Sequence, residues 1–380
     1  MDFSWTTEQN ALWDDIVSFA KDEIQYCDDE HEQLAQLDQN WDICARKGLF
    51  GLHIPEALGG CGYDTLTTIR ALEAFGYGCP DNGLAVAVNA NIWSVQGTIY
   101  RSGTDAQKDK YLRAMVTGQM KGAFAITEEE SGSDAFNLQT TATKTDGGYI
   151  LNGEKVYITM SPVADVIITF AVTNADAGKW GITAFLVDTD LEGVVLTDAN
   201  EKMGLRTIPT GDVTFHDVFI PDNSVLGRVG AGANIFSTAI RDERGFLLSS
   251  QVGAMARQLD ESVEYARTHM RGGQAIGKHQ AVSHRIVDMQ LRLETARMFL
   301  YRAAWSADHK QDVNKASSMA KLIISETFIE NSLSAVRING AKGYMSEFGI
   351  ERDLRDAVVG VIYAGTSDIQ RNLLAELLGL

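Results

Sequence analysis

The sequence predicts a fold in three stretches: helices first, a compact β domain next, and a helical bundle last. Three observations predict it. The first third carries apolar residues at helical spacing. The middle holds short β-branched segments separated by turn residues. The last third holds a long apolar stripe stepping by four and three.

The opening helix is signalled by Thr6-x-x-Gln9, a capping-box pattern, with Leu12, Ile16 and Phe19 following on one face. "KGLFGLHIPEALGGCG" (47–62) breaks the helical pattern with Gly and Pro and reads as a packed connector. In the middle, "GYILNGEKVYI" (148–158) carries Asn152-Gly153, which reads as a hairpin turn. "VADVIITFAVT" (163–173), "GITAFLVDT" (181–189) and "GDVTFHDVFI" (211–220) read as strands. Near the end, Val282, Ile286, Met289, Leu293, Ala296, Leu300 and Ala303 form one stripe, which requires helices beside it. These divisions set the domains at 1–118, 119–229 and 230–380. The sequence shows no internal repeat, low-complexity tract or disordered linker.

Lys plus Arg number 33 and Asp plus Glu 51 in 380 residues, a formal net charge of −18. That argues against sequence-independent nucleic-acid binding and against an anionic membrane surface. No apolar run reaches membrane-spanning length, and the start, MDFSWTTEQN, has no basic region before an apolar one, so a cytoplasmic protein without a signal peptide is expected. Cys27, Cys44, Cys61 and Cys79 form no C-x-x-C pair. Disulfides or a metal site stay open, and reduced, buried thiols with no metal are the expectation.

No Walker loop, G-x-G-x-x-G after a strand, H-E-x-x-H or G-x-S-x-G occurs. What remains is a set of Gly/Ser/Thr-rich segments at domain joints. "FAITEEESGSDAFNLQTTA" (124–142) is the richest, and by itself reads equally as a solvated acidic loop. "IYAGTSDIQRN" (362–372) reads as a turn opening a helix, with Gly365 free to take positive φ and Thr366 or Ser367 as cap. Such a turn suits a phosphate or a flavin edge.

Six stretches in order resemble the acyl-CoA dehydrogenase superfamily. Phe124-Ala125-Ile126-Thr127-Glu128 with Ser131-Gly132-Ser133-Asp134 resembles its flavin loop. "NGEKVYIT" (152–159) resembles its N-G-x-K-x-W-I-T segment, with Tyr157 for Trp. "MGLRTIPTGDVTFHDVFIP" (203–221), "AIGKHQAVSHRIVDMQLRLETAR" (275–297), "AVRINGAKGY" (335–344) and "IYAGTSDIQRN" complete the series. The resemblance implies an N-terminal all-α domain, a middle β-barrel or sandwich, a C-terminal four-helix bundle, and FAD bound between the β domain and the bundle. It implies that Phe124, Ile126 and Thr127 face the flavin ring, that Gly132 and Ser133 serve its pyrophosphate, and that Tyr157, Ile158 and Thr159 pack on its other face. Thr366 and Asp368 are implied to hold the adenosine diphosphate portion. Gln280, Arg337 and Gly340 are implied to reach in from a neighbouring subunit of a homotetramer, or at least a dimer. The family's R-x-x-F-G pattern is here His269-Met270-Arg271-Gly272-Gly273, so its Arg is replaced by His269 or displaced to Arg271 and its Phe is gone. The later Gly-Gly pair is Gly340-Ala341.

The resemblance implies α,β-dehydrogenation of a thioester, with a carboxylate as base. Most of the family carries that Glu at the place of Ala364, and a minority carries it on a bundle helix. "AIRDERGFLLSS" (239–250) matches the second placement, with Glu243 as base and Arg244 beside it. By its own pattern Glu243 is a solvated acid in the first turn of a helix, and Asp242 is the local competitor. Ser133, Arg244 and Gly365 are implied to face substrate. Within the superfamily, 258–305 and 74–84 resemble the prolyl-carrier-protein dehydrogenases and oxidases of pyrrole and anatoxin type pathways. These act on L-proline held as a thioester on a peptidyl or acyl carrier protein. The implied product is a pyrroline or pyrrole thioester, and the acceptor oxygen or an electron-transfer flavoprotein. Arg267, Arg271 and Arg285 are the candidate basic patch for an acidic carrier protein. A short- or branched-chain acyl-CoA dehydrogenase and a flavin-free scaffold remain as other readings, the last supported by the altered 269–273 stretch.

Overall fold

The structure is a computed structural model and describes residues 4–29 and 31–380. The first helix, α1 (Thr7–Glu23), opens on the expected capping box: the Thr6 hydroxyl accepts from the Gln9 amide and the Gln9 side chain accepts from the Thr6 amide. It buries Ile16, Phe19 and Ala20. α2 (Gln33–Lys47) ends in the connector over 47–62, and α3 (Thr65–Gly78) and α4 (Asn82–Ala90) follow. A π-helical stretch, Asn91–Gln96, continues α4 into α5 (Gly97–Ser102). The short α6 (Asp105–Gln107), a second π stretch and α7 (Arg113–Val116) close the helical segment. Such π stretches widen a helix locally and gather at functional sites. The first one carries Ser94.

The middle segment is one eight-stranded sheet. Its strands are β1 (Gly122–Ala125), β2 (Thr141–Thr145), β3 (Gly148–Thr159), β4 (Val166–Val172), β5 (Ile182–Asp188), β6 (Val194–Leu196), β7 (Thr210–Pro221) and β8 (Val225–Leu226). Their order is β6-β7-β3-β2-β4-β5-β8, with β1 also paired to β4. β4 is buried on both faces. Ile167 and Ala171 face the strands of β3 and β7, while Val166, Ile168 and Phe170 face the helices. The sheet thus encloses a core of its own and shares a second one with α-helical segments.

The Asn152-Gly153 pair is not the hairpin turn. The β2–β3 turn is Asp146-Gly147, and Asn152 and Gly153 lie inside β3 at a bulge opposite β7. Gly153 has φ +143, and a Cβ there would lie 2.5 Å from Thr140 Oγ1. The glycine is there for close crossing of chain segments, not for chain reversal. The Asn152 side chain is held by Asp217, donating at 2.9 Å and accepting the Asp217 amide at 2.8 Å.

The last segment holds α8 (Gly232–Phe246), α9 (Ser249–Thr268), a small hairpin of β9 (Met270–Arg271) and β10 (Gln274–Ala275), α10 (Gln280–Asp308), α11 (Asn314–Asn339), α12 (Ile350–Val358) and α13 (Ser367–Leu377). The predicted stripe lies on α10: Met289, Leu293, Ala296, Leu300 and Ala303 are buried, with Val282 and Ile286 packed at the margin. The N-terminal helices and the bundle share one continuous core running from Ile16 to Ala357. α3 and α9 cross at their glycines: a Cβ on Gly76 would meet the Ser250 carbonyl at 1.9 Å, and one on Gly253 the Glu73 carbonyl at 2.0 Å. This crossing anchors α9, and through it the α8 helix that carries the site.

Candidate active site

Glu243 lies in the last turn of α8, not the first. The glycine-rich run before Gly232 starts this helix early and without a side-chain cap, so the acid ends up next to the bundle rather than in solvent. Asp242 is removed as a competitor. It is buried, and Arg101 Nη1 at 2.7 Å and Arg241 Nε at 2.9 Å hold its carboxylate. Glu243 has no such partner. Burial pushes its carboxyl up to about 7, offset in part by the Ser94 hydroxyl and by the charges of Arg244 and Lys321. A carboxyl poised there can take a proton near neutral pH.

Arg244 joins this helix to the terminal turn. Its Nε is buried without a hydrogen-bond partner and lies 3.6 Å from where a Cβ on Gly365 would stand. Ala364 and Gly365 both take left-handed backbone, with φ +54 and +81, which reverses the chain in front of α13. Gln370 clamps the turn, its Nε2 donating to the Gly365 carbonyl at 2.9 Å and the Ala364 carbonyl at 3.3 Å. Thr366 caps α13, its hydroxyl accepting the Ile369 amide at 3.1 Å. The Ser367 hydroxyl is buried beside it with no partner. Asp368 is exposed and faces Arg371 at 3.4 Å.

The third part comes from the β domain. Ala364 packs on the same apolar cluster as Phe124, Ile126, Phe236 and Ile240. The Phe124 and Phe170 rings pack at 5.2 Å between centroids, tilted by 57°. The Thr127 carbonyl accepts from the Val156 amide at 2.9 Å, so Ile126 and Thr127 lie against the β3 segment that holds Tyr157, Ile158 and Thr159. Lys155 secures this junction from within. It is fully buried, and its Nζ donates to Glu128 at 2.7 Å and to the Ile126 carbonyl at 3.2 Å. Tyr157 has φ +58 and is 64% exposed, its amide tied to Asp212 at 2.9 Å. A non-glycine residue in that region is strained, and here the strain presents an aromatic ring to solvent. Gly132 and Ser133 are exposed in the loop between β1 and β2, with open space around Gly132.

The structure therefore brings Glu243, Arg244 and Gly365 to one place, and the 124–127 and 157–159 segments beside it. Gln280, Arg337 and Gly340 stand apart. α10 and α11 run antiparallel, with Asn331 bonded to the Met289 carbonyl, so Gln280 and Arg337 share one end of the pair. Arg337 lies roughly 24 Å along α11 from Lys321. His269 stacks on Tyr265 at 4.6 Å and Arg271 is exposed on β9, near that same far end.

FAD suits the near cluster. The unpaired Arg244 Nε, the unpaired Ser367 hydroxyl at a helix N-terminus, the open loop at Gly132 and the exposed Tyr157 ring are groups that a diphosphate and a flat ring system take up. The four cysteines are free, with Cys44 and Cys79 buried and Cys61 exposed, so the expected burial holds for two of them. Among the described residues no group of His, Cys, Asp and Glu is arranged to hold a metal ion, and no helix is long and apolar enough to cross a membrane. Sequence reasoning did not find Lys321, Ser94, Lys155 or Gln370. Lys155 and Gln370 stood inside quoted segments, whereas Lys321 and Ser94 carry no local signal.

The chain matches family models described as the acyl-CoA dehydrogenase N-terminal domain over 6–119, middle domain over 123–218 and C-terminal domain over 230–379. It is 38% identical over 381 residues, covering all of both chains, to the L-prolyl-[peptidyl-carrier protein] dehydrogenase of Pseudomonas fluorescens. Among solved structures it is similar to the prolyl acyl carrier protein oxidase AnaB, with TM-score 0.96 and 39% identity over 99% of this chain and 100% of that one. It is also similar to PigA with FAD and proline, with TM-score 0.95 and 37% identity over the whole of both.

Proposed function

This chain belongs to the acyl-CoA dehydrogenase family, an FAD-dependent oxidoreductase, and from that premise we propose that it dehydrogenates L-proline held as a thioester on a peptidyl or acyl carrier protein. The observation that carries the chemistry is the placement of Glu243: a poised carboxyl stands beside the terminal turn, and position 364 of that turn is an alanine. FAD, when bound, supplies the hydride acceptor. Glu243 takes the proton from the carbon next to the thioester carbonyl, and Arg244 holds the electrostatic environment of that carboxylate. Ile126 and Thr127, fixed by Lys155, and the 157–159 segment form the cofactor wall. The Gly132–Ser133 loop and the Thr366–Asp368 helix start take the diphosphate portion.

The proline reading is supported by full-length likeness to enzymes named for that substrate. We further infer a homotetramer, since Gln280, Arg337 and Gly340 lie far from their own chain's cluster and suit a neighbour's cofactor. Arg267 and Arg271 are exposed and Arg285 is half-buried, which fits a docking patch for an acidic carrier protein. The deciding experiment is incubation of the purified protein with L-prolyl carrier protein, read by intact mass. One desaturation gives the pyrroline thioester and two give the pyrrole. Faster turnover of butyryl- or isovaleryl-CoA would overturn the assignment. Oxygen consumption, compared with reduction of an electron-transfer flavoprotein, separates the two acceptors.

A further inference from the structure

We propose that Lys321 is a positioning residue for the dehydrogenation: with Arg244 it forms a buried cationic cradle that favours the carboxylate form of Glu243 and holds it at the reacting carbon. The proposal rests on the reading of Glu243 as base.

α11 packs against α8 at Gly245. Ser317 approaches so closely that a Cβ on Gly245 would lie 2.7 Å from its Oγ. Lys321 stands one turn further on the same face of α11, so its stem runs toward the Glu243–Arg244 end of α8. Its side chain has no exposed surface, and its Nζ has no hydrogen-bond partner. A buried ammonium left in that state is strongly disfavoured unless a carboxylate offsets it.

Two acids act on Lys321: Glu326 and Glu243. Glu326 is held at the surface by Arg371 at 3.1 Å. The remaining counter-charge is Glu243. The other groups facing Glu243 are Arg244 on its own helix, the Ser94 hydroxyl from the π stretch, and the Tyr363 phenol from the terminal turn. Burial raises Tyr363, so it stays neutral, and its oxygen accepts from Gln251. The adjacent Asp242 is bound by both Arg241 and Arg101. One carboxylate therefore faces two cations.

That imbalance has a direction. When Glu243 takes the proton, the substrate C–H bond breaks, a carboxyl O–H bond forms, and the electron pair stays on the thioester as an enolate. Glu243 becomes neutral, and Arg244 and Lys321 are left without that counter-charge. Burial lifts the Glu243 carboxyl, and the Lys321 charge opposes that lift, so removing the charge moves its titration further to alkaline pH.

The test uses FAD-loaded enzyme with Lys321→Met and Lys321→Gln, both neutral, and Lys321→Arg. The Glu243 carboxyl is titrated by difference infrared spectroscopy, with Glu243→Gln as blank. Substrate-driven flavin bleaching is followed over pH in parallel. In both neutral variants the midpoint is expected to move up by about one pH unit, with bleaching at neutral pH about tenfold slower and recovering at alkaline pH. Lys321→Arg is expected to keep the midpoint. Melting temperature and FAD content alone would change for a purely structural lysine. An unmoved midpoint in the neutral variants overturns the proposal, as does failure of both to fold. If Glu243→Gln bleaches at the wild-type rate, the base reading fails. If that variant is inactive and the midpoint is unmoved, only the role of Lys321 fails.

Discussion

Glu243, the proposed base, answers two opposed demands, since the burial that lifts its carboxyl into the neutral range also costs stability. The folded carboxyl keeps its proton up to about 7, whereas the ordinary value is 4.5. Between those two values the folded state binds more protons than the unfolded state. Stability therefore falls as pH rises through this window, and the loss is complete above it. Glu243→Gln removes the charge and keeps the shape. We expect it to melt higher than wild type at pH above 7, by a few kcal/mol at most, and close to wild type near pH 5. FAD should stay bound, while bleaching by prolyl carrier protein falls on the order of a hundredfold to ten-thousandfold. Calorimetry at the two pH values checks the first part and stopped-flow absorbance the second. A stability gain that does not depend on pH would contradict the burial argument. Glu243 stands out as a candidate through the family-like "RDERG" stretch. Its position in the last turn was not legible, because helix bounds depend on where α8 begins against the β domain.

At the scale of elements, the junction between β1 and β3 depends on one buried ion pair. Lys155 and Glu128 lie 2.7 Å apart, and Glu128 also accepts the Gln139 and Thr140 amides at 2.5 and 3.1 Å. Burial pulls the Lys155 ammonium down to about 8, against the charge of Glu128, which keeps it protonated at neutral pH. Lys155→Met leaves that carboxylate buried and unpaired, which costs about 3–5 kcal/mol. We expect a lower urea midpoint and weaker FAD retention, because the Ile126 carbonyl also loses its donor. Adding Glu128→Met should recover much of the stability without restoring the flavin, as read by urea melts and bound absorbance. The same strand shows why Asn152-Gly153 was misread. Asn-Gly marks a reversal only when the chain turns there, and here Thr140 crosses close over a glycine inside a strand.

At the scale of the molecule, α10 carries a second stripe opposite its core face. Val287, Leu291, Met298 and Trp305 are 55, 61, 48 and 42% exposed, spaced by four and then seven residues. That is the spacing of a helix–helix seam, and it suits the proposed oligomer. Leu291→Glu is expected to reduce the particle mass in light scattering and to lower FAD content together, because the far-end residues Gln280 and Arg337 would lose their neighbour. Loss of mass with full flavin occupancy would separate the seam from the cofactor.

The sequence by itself determined the order of helices, sheet and bundle, the α10 stripe and the capping box at Thr6. Each is written in local periodicity or in a short pattern whose physics is complete within one turn or strand. It also carried the family resemblance, through six stretches that keep their order along the chain, and with it the candidacy of Glu243. Only the tertiary structure decided that Asp242 is bound by Arg101 from α5, that Lys155 secures the Ile126–Glu128 segment from inside the sheet, and that Ser94 and Lys321, from two other elements, come near enough to act on the Glu243 carboxyl. Burial and charge pairing are set by neighbours far apart in sequence. A lysine in "SSMAKLIISE" reads as a solvated helix residue until α8 closes over it.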